Sequence, residues 1–331
     1  MFEQILIPNP SANIPSSLRP RKGVIIGLGQ VGLACAYSML IQDCFDELIL
    51  QDIAQEKLEG EIMDLSHGMP FLPPTDLKAG TVADVGQNAD IVIITAGVAQ
   101  RDGETRLSLV ERNINIYKNI LKDVVKYCPD AIILVVSNPV DILTYVTLKI
   151  TGFPSSRVIG SGTVLDSARF RALIAQEMGI DARSVHAYII GEHGDSEVPI
   201  WSCANIAGVK IVPNDWDSLI ETEQNKLSSI FSHVKNAAYE IIQRKGYTSY
   251  AIGLATTDIV KAILYSQERI LTVSGLMNGL YGIEDICLSI PRVINERGIL
   301  KTVNLNLSVE EEKLLVRSAT ILKEIVNQVS F

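Results

Sequence analysis

At 331 residues the chain is longer than one hydrophobic core ordinarily organises, so two domains are expected. Hydrophobic residues make up 47% and charged residues 20%, the balance of a soluble globular protein. The 29 Lys and Arg against 38 Asp and Glu leave a net charge of −9, which argues against nucleic acid and anionic membrane as partners. An anionic ligand would have to be held by particular arginines.

Residues 1–20 are rich in Pro, Ser and Asn and lack periodicity, and they read as an irregular N-terminal arm without the basic and apolar regions of a signal peptide. Gly23–Ile41 looks long and apolar enough for a membrane span, but its crowded glycines fit a strand followed by a helix better. Short apolar runs then recur at Val24–Ile26, Leu48–Leu50, Ile91–Ile94 and Ile132–Val136, alternating with helical patterns near 30–42, 54–66 and 107–127. That alternation predicts an α/β fold with a doubly wound parallel sheet covered on both faces.

Beyond about residue 160 the texture changes. A helix follows Gly162, "SVHAYII" reads as strand, and long helices are expected near 215–244 and 251–266. "ILTVSG" and "DICLSI" read as antiparallel strands, and "SVEE" supplies a capping box from Ser308 to Glu311 for a closing helix. No linker marks the boundary, so close packing of the two domains is expected. The five cysteines are scattered and never paired as C-x-x-C, which predicts reduced thiols in a cytoplasmic setting and no metal site.

In "GLGQVG", Gly27, Gly29 and Gly32 follow a strand and open a helix, with Gln30 and Val31 between them. Such glycines permit a tight turn, backbone approach to a pyrophosphate and close helix–strand packing. Asp52 ends the next strand twenty residues after Gly32, where a carboxylate accepts ribose hydroxyls and repels a 2′-phosphate. The pattern predicts NAD as cofactor. Of the four histidines, only His193, in "GEHGDS", sits in a loop after a strand, as an accessible acid–base group must; an exposed turn histidine fits that motif equally well. Asp166 and Arg169 lie three apart on one helix face, as a substrate site or a plain surface ion pair would. Arg171 points roughly the other way. Asn138, in "VSNPVD", stands at the carboxyl edge of the sheet as a ligand group or an N-cap, and Pro139 is suited to begin the next helix. The segment "GVAQRDGETR", 97–106, follows a buried strand yet carries a glutamine, two arginines and two acids.

In this order "GLGQVG", "GETRLSLVERN", "VSNPVDILTY", "SGTVLDSARFR" and "GEHGDSEVP" resemble the L-lactate dehydrogenase branch of the lactate/malate dehydrogenase family, from residue 22 to the end. The resemblance implies a Rossmann-type doubly wound parallel sheet over residues 21–160 and a C-terminal α+β substrate domain over 161–331. It implies His193 as proton donor and acceptor, oriented by Asp166, and Arg169 as a two-pronged clamp on a substrate carboxylate. Asn138 would bond near the substrate oxygen, and Ile252 would press on the nicotinamide. The loop would be a lid that brings Arg106 to the developing alkoxide and faces Gln100, with Thr248 opposite, toward the variable end of the substrate. A neutral Gln100 suits pyruvate and lactate, whereas malate dehydrogenases place an arginine there. Arg101 and Asp102 depart from the Lys-Pro pair of many relatives, and an inward Arg101 keeps malate dehydrogenase, or a broader 2-hydroxy-acid dehydrogenase, as the alternative. Arg171 and His186 match residues that bind fructose 1,6-bisphosphate between subunits of a homotetramer in the bacterial members it activates; the pair also occurs in members it does not activate, and plain subunit contacts fit the two residues equally well.

Overall fold

The computed structural model describes residues 19–98, 106–213 and 219–331. The uninterrupted Val, Ile and Leu runs are buried on both faces and form the middle of a sheet: β1 (Lys22–Ile26), β2 (Glu47–Gln51), β4 (Ile91–Ile94) and β5 (Ile132–Val135), with β3 (Asp76–Ala79) at one edge and β6 (Val158–Gly160) beyond β5. These six strands are parallel, in the order β3-β2-β1-β4-β5-β6. The chain reverses direction in that order at β1, so ligands are expected at the carboxyl ends of β1 and β4.

Alternate side chains of each strand enter different cores, because successive residues of a strand point to opposite faces. Ile25, Leu48, Leu50, Ile91 and Ile93 face α1 (Gln30–Ile41), α2 (Gln55–Gly68) and α7 (Tyr250–Leu264). Val24, Ile26, Val92, Ile94 and Ile133 face α3 (Arg106–Tyr127) and α4 (Val140–Thr151). The apparent span at Gly23–Ile41 is thus β1 followed by α1, and no described helix is long and apolar enough to cross a membrane.

The second half adds α5 (Val164–Met178), the short strands β7 (Val185–His186), β8 (Ile189–Ile190), β9 (Val198–Pro199), β10 (Asn205–Ile206) and β11 (Val209–Lys210), then α6 (Glu221–Lys245) and α7. A long antiparallel pair follows, β12 (Arg269–Asn278) and β13 (Glu284–Asn295), with β14 (Gly298–Thr302) and the closing α8 (Val309–Val326). Ser308 caps α8 by accepting from the Glu311 N–H, and the Glu311 carboxylate accepts from the Ser308 N–H, the reciprocal pair expected from "SVEE".

β12 pairs with β6, so β12, β13 and β14 extend the parallel sheet to nine strands instead of forming a sheet of their own. The sequence contained no sign of this, because strand periodicity does not name the partner. The joint is narrow: Gly160 is opposite Ser274, and a Cβ at Gly160 would collide with Thr144 Oγ1 and come within 2.9 Å of the Ser274 Cβ. Overpacking of this kind costs about 1–3 kcal/mol. Gly160→Ala is therefore expected to lower the unfolding free energy by that amount, seen as a lower urea midpoint with an unchanged m-value; an unaltered midpoint would mean that the joint has slack.

Candidate active site

The turn after β1 comes first, because its glycines have distinct spatial reasons. Gly27 has φ +100°, and a Cβ there would lie 2.5 Å from the Ala96 backbone. At Gly32 a Cβ would run into the Gly27 carbonyl oxygen, which is how closely α1 approaches the turn. Gly29 differs: a Cβ there meets nothing within 4 Å, so the turn faces open space at the α1 N-terminus. Gly29 and Gln30 are exposed and Val31 half-buried, and α1 has no acid in its first turn and no side-chain cap. A helix N-terminus with no capping or acidic side chain of its own, behind a glycine cradle, fits a pyrophosphate. Asp52, at the end of β2, accepts from the Leu28 N–H at 2.5 Å and the Ala54 N–H at 2.9 Å, so its carboxylate also fixes the turn.

Across the sheet, Asn138 stands just past β5 and is exposed. Pro139, not Asn138, takes the N-cap position of α4; the Asn138 Oδ1 accepts weakly from the Val140 N–H at 3.3 Å. Its carbonyl accepts from Asn113 Nδ2 at 3.1 Å, and Asn113 Oδ1 accepts from the Val98 N–H at 2.8 Å. The fully buried Asn113, on α3, therefore ties the end of β5 to the stem of the 97–106 segment. Gln100, Arg101, Asp102 and Glu104 lie outside the described residues; Arg106 opens α3, and its side chain likewise lies outside them.

Asp166, on the first turn of α5, joins two of the expected residues. One of its oxygens lies 2.6 Å from His193 Nδ1, and the other accepts from Arg169 Nη1 at 2.9 Å. Asp166 is only 3% exposed, so the pair with Arg169 is not a surface ion pair. The imidazole keeps 27% of its side chain exposed, and among the described residues its Nε2 carries no hydrogen bond. Its backbone is fixed independently, because the His193 N–H donates to Asp141 Oδ2 at 2.7 Å. Asp141, on α4, is 1% exposed and also accepts from Ser274 Oγ at 2.6 Å. Gly191 pairs with Ser289 of β13, and the Glu192 N–H donates to Ser318 of α8, so the loop is held from three sides.

Charge in this cluster is set by the competition between burial and neighbours. Burial alone lowers the His193 pKa, yet the Asp166 carboxylate, with Asp141 and Glu197 near it, outweighs that and carries it up to about 9. Burial would raise Asp166, but the facing His193 and Arg169 hold it below the usual carboxylate range. Burial pushes Asp141 up to about 6, and burial together with the Asp166 charge pushes Glu197 up to about 8. Glu197 is 8% exposed and its Oε1 has no hydrogen-bond partner. Asp141, Glu197, Asn113, Ser274 and Ser289 all stand inside segments that the sequence singled out, yet none of them had a role that could be read from the sequence. Asp141 did have a positional signal, standing three residues after Asn138 on the helix that starts at the carboxyl edge.

Thr248 is half-buried just before α7, and Ile252 is half-buried in its first turn. Arg171 and His186 stand apart from the His193 cluster. α5 packs on β7, the Arg171 Nε donates to the Ser167 carbonyl at 3.3 Å, and His186 is exposed. The five cysteines are free, and no group of His, Cys, Asp or Glu among the described residues is suited to a metal.

A dinucleotide cradle at a switch point, facing a charged imidazole across the sheet, defines the class: an NAD-dependent oxidoreductase. Two family models match, the lactate/malate dehydrogenase NAD binding domain over residues 21–160 and the lactate/malate dehydrogenase alpha/beta C-terminal domain over residues 163–330. The chain is 56% identical over 312 residues to an L-lactate dehydrogenase of Gloeobacter violaceus, covering 94% of each chain. It is 48% identical to the L-lactate dehydrogenase B-B chain of Danio rerio, covering 92% of this chain and 91% of that one. The crystal structure of a minor L-lactate dehydrogenase from Enterococcus mundtii superposes with a TM-score of 0.89 at 45% identity, covering 94% of this chain and 99% of that one. The chain belongs to the lactate/malate dehydrogenase family.

The shifted groups make stability depend on pH. A group that holds its proton more tightly when folded stabilises fully below its unfolded pKa and loses that contribution as pH rises through the folded value. For Glu197 the loss runs from about pH 4.3 and for His193 from about 6.5, the unfolded values, up to about 8 and about 9 respectively. The unfolding free energy is expected to fall with pH across both intervals in urea titrations. Glu197→Gln should make the fall shallower below pH 8; an unchanged slope would show that Glu197 does not titrate there.

Proposed function

We propose that the protein is an L-lactate dehydrogenase that reversibly reduces pyruvate to (S)-lactate with NADH. The observation that carries this reading is the single buried Asp166 carboxylate shared by His193 and Arg169. It sets a proton-bearing imidazole and a guanidinium side by side, the pair of groups that a carbonyl next to a carboxylate requires. The names of the relatives, L-lactate dehydrogenases over nearly the whole chain, support the same substrate class.

Bound at the Gly27–Gly32 turn with its ribose at Asp52, NADH supplies the hydride. Arg169 has Nη2 and Nε left over from its bond to Asp166, and these clamp the substrate carboxylate and fix the keto carbon. His193 Nε2 donates its proton to the ketone oxygen as the alcohol forms and takes it back in the reverse direction. Nδ1 stays on Asp166, which fixes the ring orientation and stabilises the charged form. The high pKa of His193 keeps the donor protonated at neutral pH. Asn138 hydrogen-bonds near the substrate oxygen, Arg106 stabilises the developing alkoxide and Ile252 supports the nicotinamide. Gln100 and Thr248 face the methyl end, where a second carboxylate would find no counter-charge, a penalty of about 2–5 kcal/mol.

The deciding experiment compares kcat/KM for pyruvate and oxaloacetate in one buffer, with His193→Ala alongside. Preference for pyruvate by about 30-fold or more is expected from that penalty, with turnover abolished in H193A while NADH binding, followed by fluorescence, persists. Preference for oxaloacetate would assign the pocket to a dicarboxylate and bring Arg101 into it; turnover in H193A would remove the assigned proton donor.

Arg171 and His186 are proposed as an anion site between subunits of a homotetramer that takes fructose 1,6-bisphosphate. Arg171 keeps both Nη atoms without a partner among the described residues, which supports this. Millimolar fructose 1,6-bisphosphate is expected to lower KM for pyruvate, and saturation curves unmoved at several pH values would withdraw the site.

A further inference from the structure

Away from the carboxyl edge, β13 carries an arginine where a core strand ordinarily carries an aliphatic residue. Arg292 is 3% exposed, and no carboxylate among the described residues pairs with it. Its guanidinium lies over β12, where Nη2 donates to the Gly275 carbonyl at 2.8 Å and Nη1 to the Leu276 carbonyl at 3.2 Å. Gly275 makes the room, because a Cβ there would lie 3.0 Å from Arg292 Nη1. The Nε is buried without a hydrogen-bond partner. Burial pulls the pKa down to about 10, which still leaves the group charged at neutral pH. Burying a cation without a counter-ion is strongly unfavourable, and two neutral carbonyls do not neutralise it.

The missing charge has a place to sit. Arg292 lines a cavity of about 390 Å³, a volume suited to a small molecule. Lys301 of β14 also lines it and is in no ion pair among the described residues; Ser155, Ser156, Asn278 and Thr302 add hydroxyl and amide donors. None of the residues that line the cavity is acidic, in a chain whose net charge is −9. We propose that this cavity is a binding site for a small phosphate-type oxyanion, either the free ion or the head of a phosphate ester. Two cations and several hydroxyl and amide donors exceed what the two oxygens of a carboxylate accept, whereas a tetrahedral oxyanion takes donors on three or four oxygens. Leu276 and Ile299 on the wall would cover the carbon skeleton of an ester. The site is separate from the Arg171 and His186 pair, which stand on α5 and β7.

The test is thermal unfolding of the full chain in inorganic phosphate, against sodium chloride at equal ionic strength. The comparison uses the wild type, Arg292→Met, Lys301→Gln and Arg171→Gln. The wild-type Tm is expected to rise saturably by a few degrees, as mass action on a single site requires. That rise should vanish in R292M, shrink in K301Q and persist in R171Q. Met replaces a buried unpaired charge by an apolar chain of similar length, a change that commonly leaves folding intact. Lys301 is exposed, so K301Q reports on the site even if R292M is destabilised. A parallel titration with glycerol phosphate separates the two sources: tighter saturation than phosphate identifies an ester, and equal saturation the free ion. A rise that grows linearly with phosphate, or that is the same in R292M and K301Q as in the wild type, overturns the proposal.

Discussion

A carboxylate with almost no water around it holds the two halves of the molecule in one register. Asp141 belongs to α4 of the nucleotide-binding half, yet it accepts from Ser274 of β12 and from the His193 backbone. Its second oxygen is what places the imidazole, and its first is what keeps the β12–β13 hairpin against α4. Burial makes this arrangement costly, as the raised pKa of Asp141 records, and the donors around it offset that cost. Remove the carboxylate, and both the His193 loop and the joint at Gly160 lose a fixed point.

Around that anchor, ionisable groups divide the charge among themselves. Asp166 stays ionised because it faces a charged imidazole and a guanidinium at once, and His193 stays protonated because Asp166 is ionised. Glu197, buried nearby with an unpartnered oxygen, cannot also ionise at neutral pH and holds its proton instead. Two neighbouring carboxyl groups with opposite protonation states are what one low-dielectric pocket permits.

Much of the frame was legible in the residues. Apolar runs bounded by turn signals placed β1, β2, β4 and β5 closely, because burial on both faces leaves a pattern that owes nothing to distant parts of the chain. The capping box at Ser308 was equally local. The Gly27–Gly32 turn and Asp52 were legible because their spacing is set by one βαβ unit. Contacts made across long sequence separations were not legible. The pairing of β6 with β12 joins residues more than a hundred apart, and the bonds of Asp141 join α4 to a strand and a loop far downstream. Arg292 was invisible for a related reason: an arginine in an otherwise apolar strand signals nothing until the cavity beside it is seen.

A sheet that runs without a break through both halves also limits how the molecule can move. Proteins built as two bodies on a flexible connection commonly open and close by rotating one body on the other. Here such a rotation would have to shear β6 from β12 and pull Ser274 from Asp141. The continuous sheet therefore opposes such a rotation at the one place where the two halves are joined strand to strand.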